Sequence, residues 1–266
     1  MSSNQIHFSR GALTLIPGLF FIILWQGLVG GNTRLEFLFA SPQLVARVAL
    51  EELSQRSIWI DLSTTACEAV LGLLVGSLLG STLGLLLWTN VAIARIARPY
   101  IVLLGSIPIF AIAPMLIIWF GTELSSKVVM SAFSVFFVAL AQAYDGARAC
   151  AKEYSHYART LKAPRFQVMT KIIIPGALCW VAAGFKISIG LALVGAFIGE
   201  FVSSQVGLGH YILTAGSLYD MPRVVFGVLL LSLLALTFTG LVWCVERAMP
   251  HLFQTGLLVD DAPVEV

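Results

Sequence analysis

The uncharged apolar runs, and the gaps between them, constrain this chain more than any motif it carries. Residues 11–32, 70–94, 99–122, 128–144 and 224–245 contain no Asp, Glu, Lys or Arg, and residues 172–201 contain only Lys186 and Glu200. A helix needs about 20 apolar residues to cross the hydrocarbon layer, and only the run at 128–144 is clearly short. Charged residues are 11% of the chain, against about 25% in soluble domains. The pattern predicts an all-α integral membrane protein with six transmembrane helices. The first run exceeds the apolar core of a secretory signal and lacks a small-residue cleavage site. It reads as an uncleaved span with Trp25 near its far end.

Six spans put both termini on one side. With the N-terminus cytoplasmic, the inner segments hold Arg10, Arg95, Arg98, Arg148, Lys152, Arg159, Lys162, Arg165, Lys171 and Arg247. The outer segments hold Arg34, Arg47, Arg56, Lys127 and Arg223. Such an excess of inner Lys and Arg satisfies the positive-inside rule, so both termini and the basic stretch at 145–171 are expected in the cytoplasm. Three regions follow. Residues 1–61 form a transmembrane helix plus an external amphipathic segment. Residues 62–250 form the core, with a cytoplasmic loop at 145–175, and residues 251–266 form a mobile acidic tail.

Several local signals refine this. Ser41-Pro42 is a helix start, with Ser as the cap and Pro at the first helical position. After it, Gln43, Arg47, Glu51 and Ser54 face away from Leu44, Val45, Val48, Ala49 and Leu53, as in a surface-lying amphipathic helix or a packed connector. Gly72, Gly76, Gly80 and Gly84 share one helical stripe, which lets another helix approach closely. Pro108 and Pro114 interrupt the third run, where they line a pathway or make a packing kink. Lys186 either snorkels from the cytoplasmic end of its helix or meets solute. Glu200, at the outer end, pairs with a cation, belongs to an outer gate, or meets an external protein.

Other chemistries lack their residues. No phosphate-binding G-x-x-x-x-G-K-[ST] loop and no H-E-x-x-H occurs. Cys67, Cys150, Cys179 and Cys244 are scattered and read as buried small apolar residues, with no metal or disulfide implied. A membrane-embedded enzyme would need clustered His, Asp or Cys. An ATP-independent secondary transporter or channel, the competing class, would show inverted repeats with paired broken helices, and no such repeat is evident. Within the basic stretch 151–175, AKEYSHYARTLKAPRFQVMTKIIIP, the large apolar groups Tyr154, Tyr157, Leu161 and Phe166 accompany Lys and Arg. Lipid headgroups, bulk water or a cytoplasmic protein could each face it. The aromatics favour a docked protein, because aromatics with Arg are typical interface anchors. Pro164 and Pro175 are expected to cut it into two short helices.

His156–Ala163, HYARTLKA, followed by Pro175-Gly176-Ala177, resembles the "EAA" loop of permease subunits of bacterial ABC importers, of the nitrate/sulfonate/taurine type. The resemblance covers about residues 40–250. It includes Ser41-Pro42, Ile107-Pro108 through Pro114, Ile118-Trp119-Phe120-Gly121, Ser126-Lys127, Ala158-Arg159-Thr160-Leu161, Gly199-Glu200 and Gly207-Leu208-Gly209. The chain departs from the loop pattern at His156, Tyr157 and Lys162, where the family has Glu, Ala and Gly. What the resemblance implies is a type I ABC importer permease fold in the bacterial inner membrane, acting with a second copy of itself. Two copies of a separate ATPase would bind ATP and Mg, and a periplasmic or extracellular binding protein would deliver the solute. The chain itself would hold no cofactor and bind no nucleic acid; membrane lipid would surround it. The ATPase-coupling residues would be Tyr154, His156, Tyr157, Ala158, Arg159, Leu161, Lys162 and Arg165. The pathway candidates would be Ser106, Pro108, Phe110, Pro114, Lys186 and Glu200. Many anion-transporting relatives carry a basic residue just before the Ile-Pro of the third span; Gly105-Ser106 stands there instead, which weakens the case for a small inorganic anion and favours an organic solute, aromatic or heterocyclic.

Overall fold

A computed structural model describes the backbone of residues 3–160 and 164–248 and the side chains of residues 16–154, 164 and 166–248. The expected tail at 251–266 lies outside the described residues. The helices, in order, are α1 (Ser3–Val29), α2 (Thr33–Phe39), α3 (Pro42–Leu53), α4 (Arg56–Trp88), α5 (Val91–Gly105), α6 (Ile109–Phe120), α7 (Leu124–Thr160) and α8 (Arg165–Val168). A π-helical turn (Met169–Ile173) leads into α9 (Ile174–Ser203), followed by α10 (Leu208–Ser217) and α11 (Met221–Ala248).

Among the described residues, α4, α7, α9 and α11 contain segments long and apolar enough to cross a membrane. The described part of α1, Ile16–Val29, is a shorter apolar helix. Helices α5 and α6 make a fifth candidate only as a pair, bent by 93°. Six spans are therefore not confirmed on these residues, and the third is a broken helix rather than a kinked one. Proline accounts for the break: Pro108 has no N–H to offer α5 and instead stands at the cap position of α6.

The central bundle is α4, α7 and α9, and small residues bring it together. All four stripe glycines of α4 face α7. A Cβ at Gly76 would lie 2.5 Å from the Ala132 carbonyl oxygen, and one at Gly80 or Gly84 would strike the carbonyl of Phe136 or Leu140. Ser131 of α7, against which Gly72 packs, donates its hydroxyl to the Ala192 carbonyl of α9 at 3.0 Å. Leu73, Val135, Ala139, Ile189, Leu193 and Leu234 fill the core where α4, α7, α9 and α11 meet.

Four further expectations need correction. The second span starts near residue 56, not 70: Asp61 finds a partner inside the fold and Glu68 is buried in it, as described below. The basic stretch at 145–160 is no loop but the continuation of α7. Pro175 does not end a helix: it sits in the first turn of α9, after a π-turn that widens the backbone where the ring would otherwise clash. Cys67 and Cys244 are exposed, while Cys150 is buried, since the first two fall on helix faces that no other helix covers.

Helix α3 resolves as a packed connector. The Ser41 hydroxyl caps it, accepting from Leu44 N at 3.4 Å. Val45 joins Ala40, Ile58, Leu208, Phe226 and Leu230 in a second core. Glu52 is buried on the same side, where it accepts from Arg223 Nε of α11 at 2.8 Å. Arg223 also pairs with Asp220, so one guanidinium ties α3 to the α10–α11 turn.

Candidate functional site

Helix α10 lacks a cap of its own, and this builds the most polar part of the interior. Its N-cap is Gly207, which has no side chain to offer and a φ of +109°. The first N–H groups of a helix have no partner within it. Three side chains from other helices supply them. Asp61 Oδ1 accepts from Gly207 N at 2.7 Å, Thr65 Oγ1 from Leu208 N at 2.9 Å, and Glu200 Oε2 from Gly209 N at 2.6 Å. The Thr65 hydroxyl donates in turn to Glu200 Oε1 at 2.6 Å. Thr65 and Glu200 are both fully buried. Gly207 is required twice over, by its left-handed backbone and because a Cβ would strike the Glu200 carboxylate.

Two further charges join this cap. Glu68 of α4 is buried beside Glu200. Lys127, in the first turn of α7, is 2% exposed, donates to the Thr122 carbonyl, and has Glu68, Glu123 and Glu200 as charged neighbours. It is thus no exposed outer-loop charge. A cavity of about 590 Å³ opens beside the cluster, lined by Thr64, Glu68, Glu123, Lys127, Ser203 and Gln205 among others. Nearby in α10, burial pushes the Tyr211 hydroxyl up from its ordinary pKa, and Glu52 adds to that.

Sequence reasoning missed Asp61, Thr65, Glu68 and Lys127. Glu68 stands four residues before Gly72, so it continues the glycine stripe onto which α7 packs. Lys127 belongs to the Ser126-Lys127 pair.

The pathway candidates separate into three places. Ser106, Pro108, Phe110 and Pro114 lie together on the exposed surface of the α5–α6 bend; Ser106 Oγ donates to the Val102 carbonyl at 2.7 Å, and Phe110 is 57% exposed. Glu200 lies in the α10 cap. Lys186 is fourteen residues from it, about 21 Å along α9, and pairs with Glu246 of α11 at 2.7 Å. Glu246 lies near the C-terminal end of α11. The Lys186 side chain is 45% exposed, so this pair is worth well under about 1 kcal/mol. Lys186→Ala is expected to leave the unfolding midpoint and the solute concentration at half-maximal uptake nearly unchanged. A tenfold rise in that concentration would place solute on Lys186.

Of the coupling candidates, Tyr154 is half-buried on α7. The side chains of His156, Tyr157, Ala158, Arg159, Leu161, Lys162 and Arg165 lie outside the described residues. The backbone of residues 155–160 is helical, continuous with the rest of α7.

Comparison with known proteins bears on this arrangement. The family model for binding-protein-dependent transport system inner membrane components matches residues 72–250. A formylaminopyrimidine transport permease protein of Halalkalibacterium halodurans is 30% identical over 85% of this chain and 91% of its own length. A permease protein of Bacillus subtilis strain 168, named for aliphatic sulfonates transport, is 25% identical over 88% of this chain and 85% of its own. The inward-facing MetNI methionine ABC transporter contains a chain that superposes with a TM-score of 0.64 at 16% identity, over 72% of this chain and 96% of that one. The shared feature is the fold.

Proposed function

The chain belongs to the family of binding-protein-dependent transport system inner membrane components, as a multi-pass permease subunit of an ABC importer, and we propose that its long helix α7 links the solute end to the ATPase end. One observation carries this reading: α7 is a single helix of 37 residues, from Leu124 to Thr160, about 55 Å long. Its first turn holds Lys127, beside the α10 cap. Its last turns hold residues 156–160, the first part of the segment that resembles the coupling loop. Such a rod passes a push at one end to the other.

In this reading, both termini and residues 154–162 face the cytoplasm of a bacterial cell, and two ATPase subunits, which bind ATP and Mg, dock on that segment in a dimer of this permease. An external binding protein delivers solute to the opposite end. Hydrolysis belongs to the ATPase. Tyr157 and Leu161 act as its anchors, so Tyr157→Ala with Leu161→Ala is expected to weaken ATPase binding by at least about thirtyfold. Uptake would be lost while the permease keeps its unfolding midpoint. ATPase retention through purification and uptake into proteoliposomes measure the two effects.

The solute class proposed is a small heterocycle. No cation precedes Ile107-Pro108, where Gly105-Ser106 stands. The 30%-identical relative is named for a pyrimidine, and the sulfonate relative is more distant. The test is ATP hydrolysis by the purified assembly with its binding protein, against pyrimidines, aromatic acids, sulfonates, nitrate and bicarbonate. Stimulation by a pyrimidine or another heterocycle supports this class. Stimulation by sulfonates or inorganic anions alone overturns it while leaving the importer reading intact.

A further inference from the structure

Arg95, Arg98 and Arg148 line one cavity of about 730 Å³, together with Trp88, Tyr144 and Val102. Arg95 and Arg98 stand three residues apart on α5 and share a face. Arg148 reaches the same space from α7. None of the three has an ion-pair or hydrogen-bond partner among the described residues. Among the described residues, no acid lines the cavity. Three unpaired guanidinium groups around one space repel one another, and an anion with several oxygens would relieve this. Their planar forks suit a phosphate in particular, which accepts two N–H bonds from each.

Two features point to a lipid as the source of that phosphate. The cavity lies where α4 ends at Trp88 and α5 begins. It thus pairs Trp88 and Tyr144 with arginines, the composition of a membrane–water interface. The surface of α5 near it is apolar and uncovered: Ile93, Ile96 and Leu103 are 53%, 67% and 65% exposed. Acyl chains would cover that surface, whereas a free phosphate has no use for it.

We infer that the cavity formed by Arg95, Arg98 and Arg148 binds the phosphate headgroup of an acidic phospholipid in the cytoplasmic leaflet, with its acyl chains along α5. The choice of leaflet rests on the orientation proposed above. The binding itself needs neither ATPase nor solute, so its failure is separable from failure of the importer reading.

The experiment uses the full chain, with whatever subunits accompany it, in nanodiscs of phosphatidylcholine containing graded phosphatidylglycerol. Native mass spectrometry counts the phosphatidylglycerol retained. Each Arg→Gln change at 95, 98 or 148 is expected to weaken retention about fivefold, and the triple variant about a hundredfold. The pair Arg47→Gln and Arg56→Gln should leave it unchanged. Equal retention by the triple variant and the wild type overturns the proposal. So does displacement of the lipid by millimolar inorganic phosphate, which marks a free-anion site. Loss of an accompanying protein without loss of lipid also overturns it, since the arginines then serve a protein contact. Should the triple variant fail to fold, the wild type suffices: phosphatidylglycerol should raise its unfolding midpoint over phosphatidylcholine alone, and no rise contradicts the site.

Discussion

Glu200→Ala is expected to release α10 from the bundle and abolish uptake. The wild-type carboxylate accepts from Thr65 Oγ1 and Gly209 N, both at 2.6 Å, in a fully buried position. Removing it strands Gly209 N at about 1–3 kcal/mol and leaves the Thr65 hydroxyl only the Asp61 carbonyl of its own helix, at 3.1 Å; losing one member of a buried charged network costs about 3–5 kcal/mol in all. The damage spreads, because the Thr65 hydroxyl that loses its acceptor also receives Leu208 N at 2.9 Å. Glu200→Gln keeps the volume and one acceptor oxygen but turns an NH₂ toward a donor, so an intermediate loss is expected. Thr65→Val should strand Leu208 N and take from Glu200 Oε1 its donor, at about 1–3 kcal/mol each. Because the residues touch, the double variant should be less damaging than the two single losses added together, by more than about 0.5 kcal/mol. Thermal unfolding of the purified chain measures the series. Wild-type behaviour of Glu200→Ala would mean that α10 is held by packing alone.

The other large effect is expected on the glycine stripe. At Gly76 an added Cβ would meet the Ala132 carbonyl oxygen at 2.5 Å and Val135 Cβ at 2.9 Å. The obstacle is backbone, which cannot rotate aside, so α4 and α7 must part. Overpacking costs about 1–3 kcal/mol per site. Gly76→Ala should therefore lower the unfolding midpoint clearly, and Gly76→Leu with Gly80→Leu should yield no monodisperse protein. Gly18→Ala and Gly240→Ala are the controls: a Cβ at either position meets nothing within 4 Å. Removing glycine from a helix interior there should be neutral or favourable by about 0.5–1 kcal/mol. If Gly76→Ala matched these controls, the two helices would not be as close as described.

The two predictions also mark where the sequence could be read. The glycine stripe was legible because a four-residue period fixes one helix face, whatever lies opposite. Ser41 as a cap was legible because its hydroxyl serves its own helix. The α10 cap was not: Asp61 and Thr65 serve amides 146 and 143 residues away, Glu200 serves one across the turn into the next helix, and no local pattern announces either. Hydropathy worked against it as well. Asp61 and Glu68 look unfit for a span until their places in the fold are known, so the uncharged run alone suggests a start near residue 70. Proline misled in both directions. Pro108 marks a break of 93° where only a kink was read, and Pro175 marks a π-turn inside a continuing helix where a break was read. The first reflects Pro108 itself, which has no N–H to extend α5 and caps α6 instead. The second reflects Ile173 and Ala177 packing against Ala147 and Cys150, which holds the helix together through the turn.

The most direct test of the importer reading is whether uptake depends on ATP. The chain should be purified from its native membrane with its accompanying subunits, reconstituted in liposomes, and given its binding protein and labelled solute on one face, with ATP and Mg on the other. An ABC ATPase should accompany the chain, and uptake should require hydrolysable ATP and cease when Tyr157 and Leu161 are both alanine. Uptake that continues without ATP, in a preparation containing no ATPase, would contradict the coupling role of α7 and identify an ATP-independent transporter.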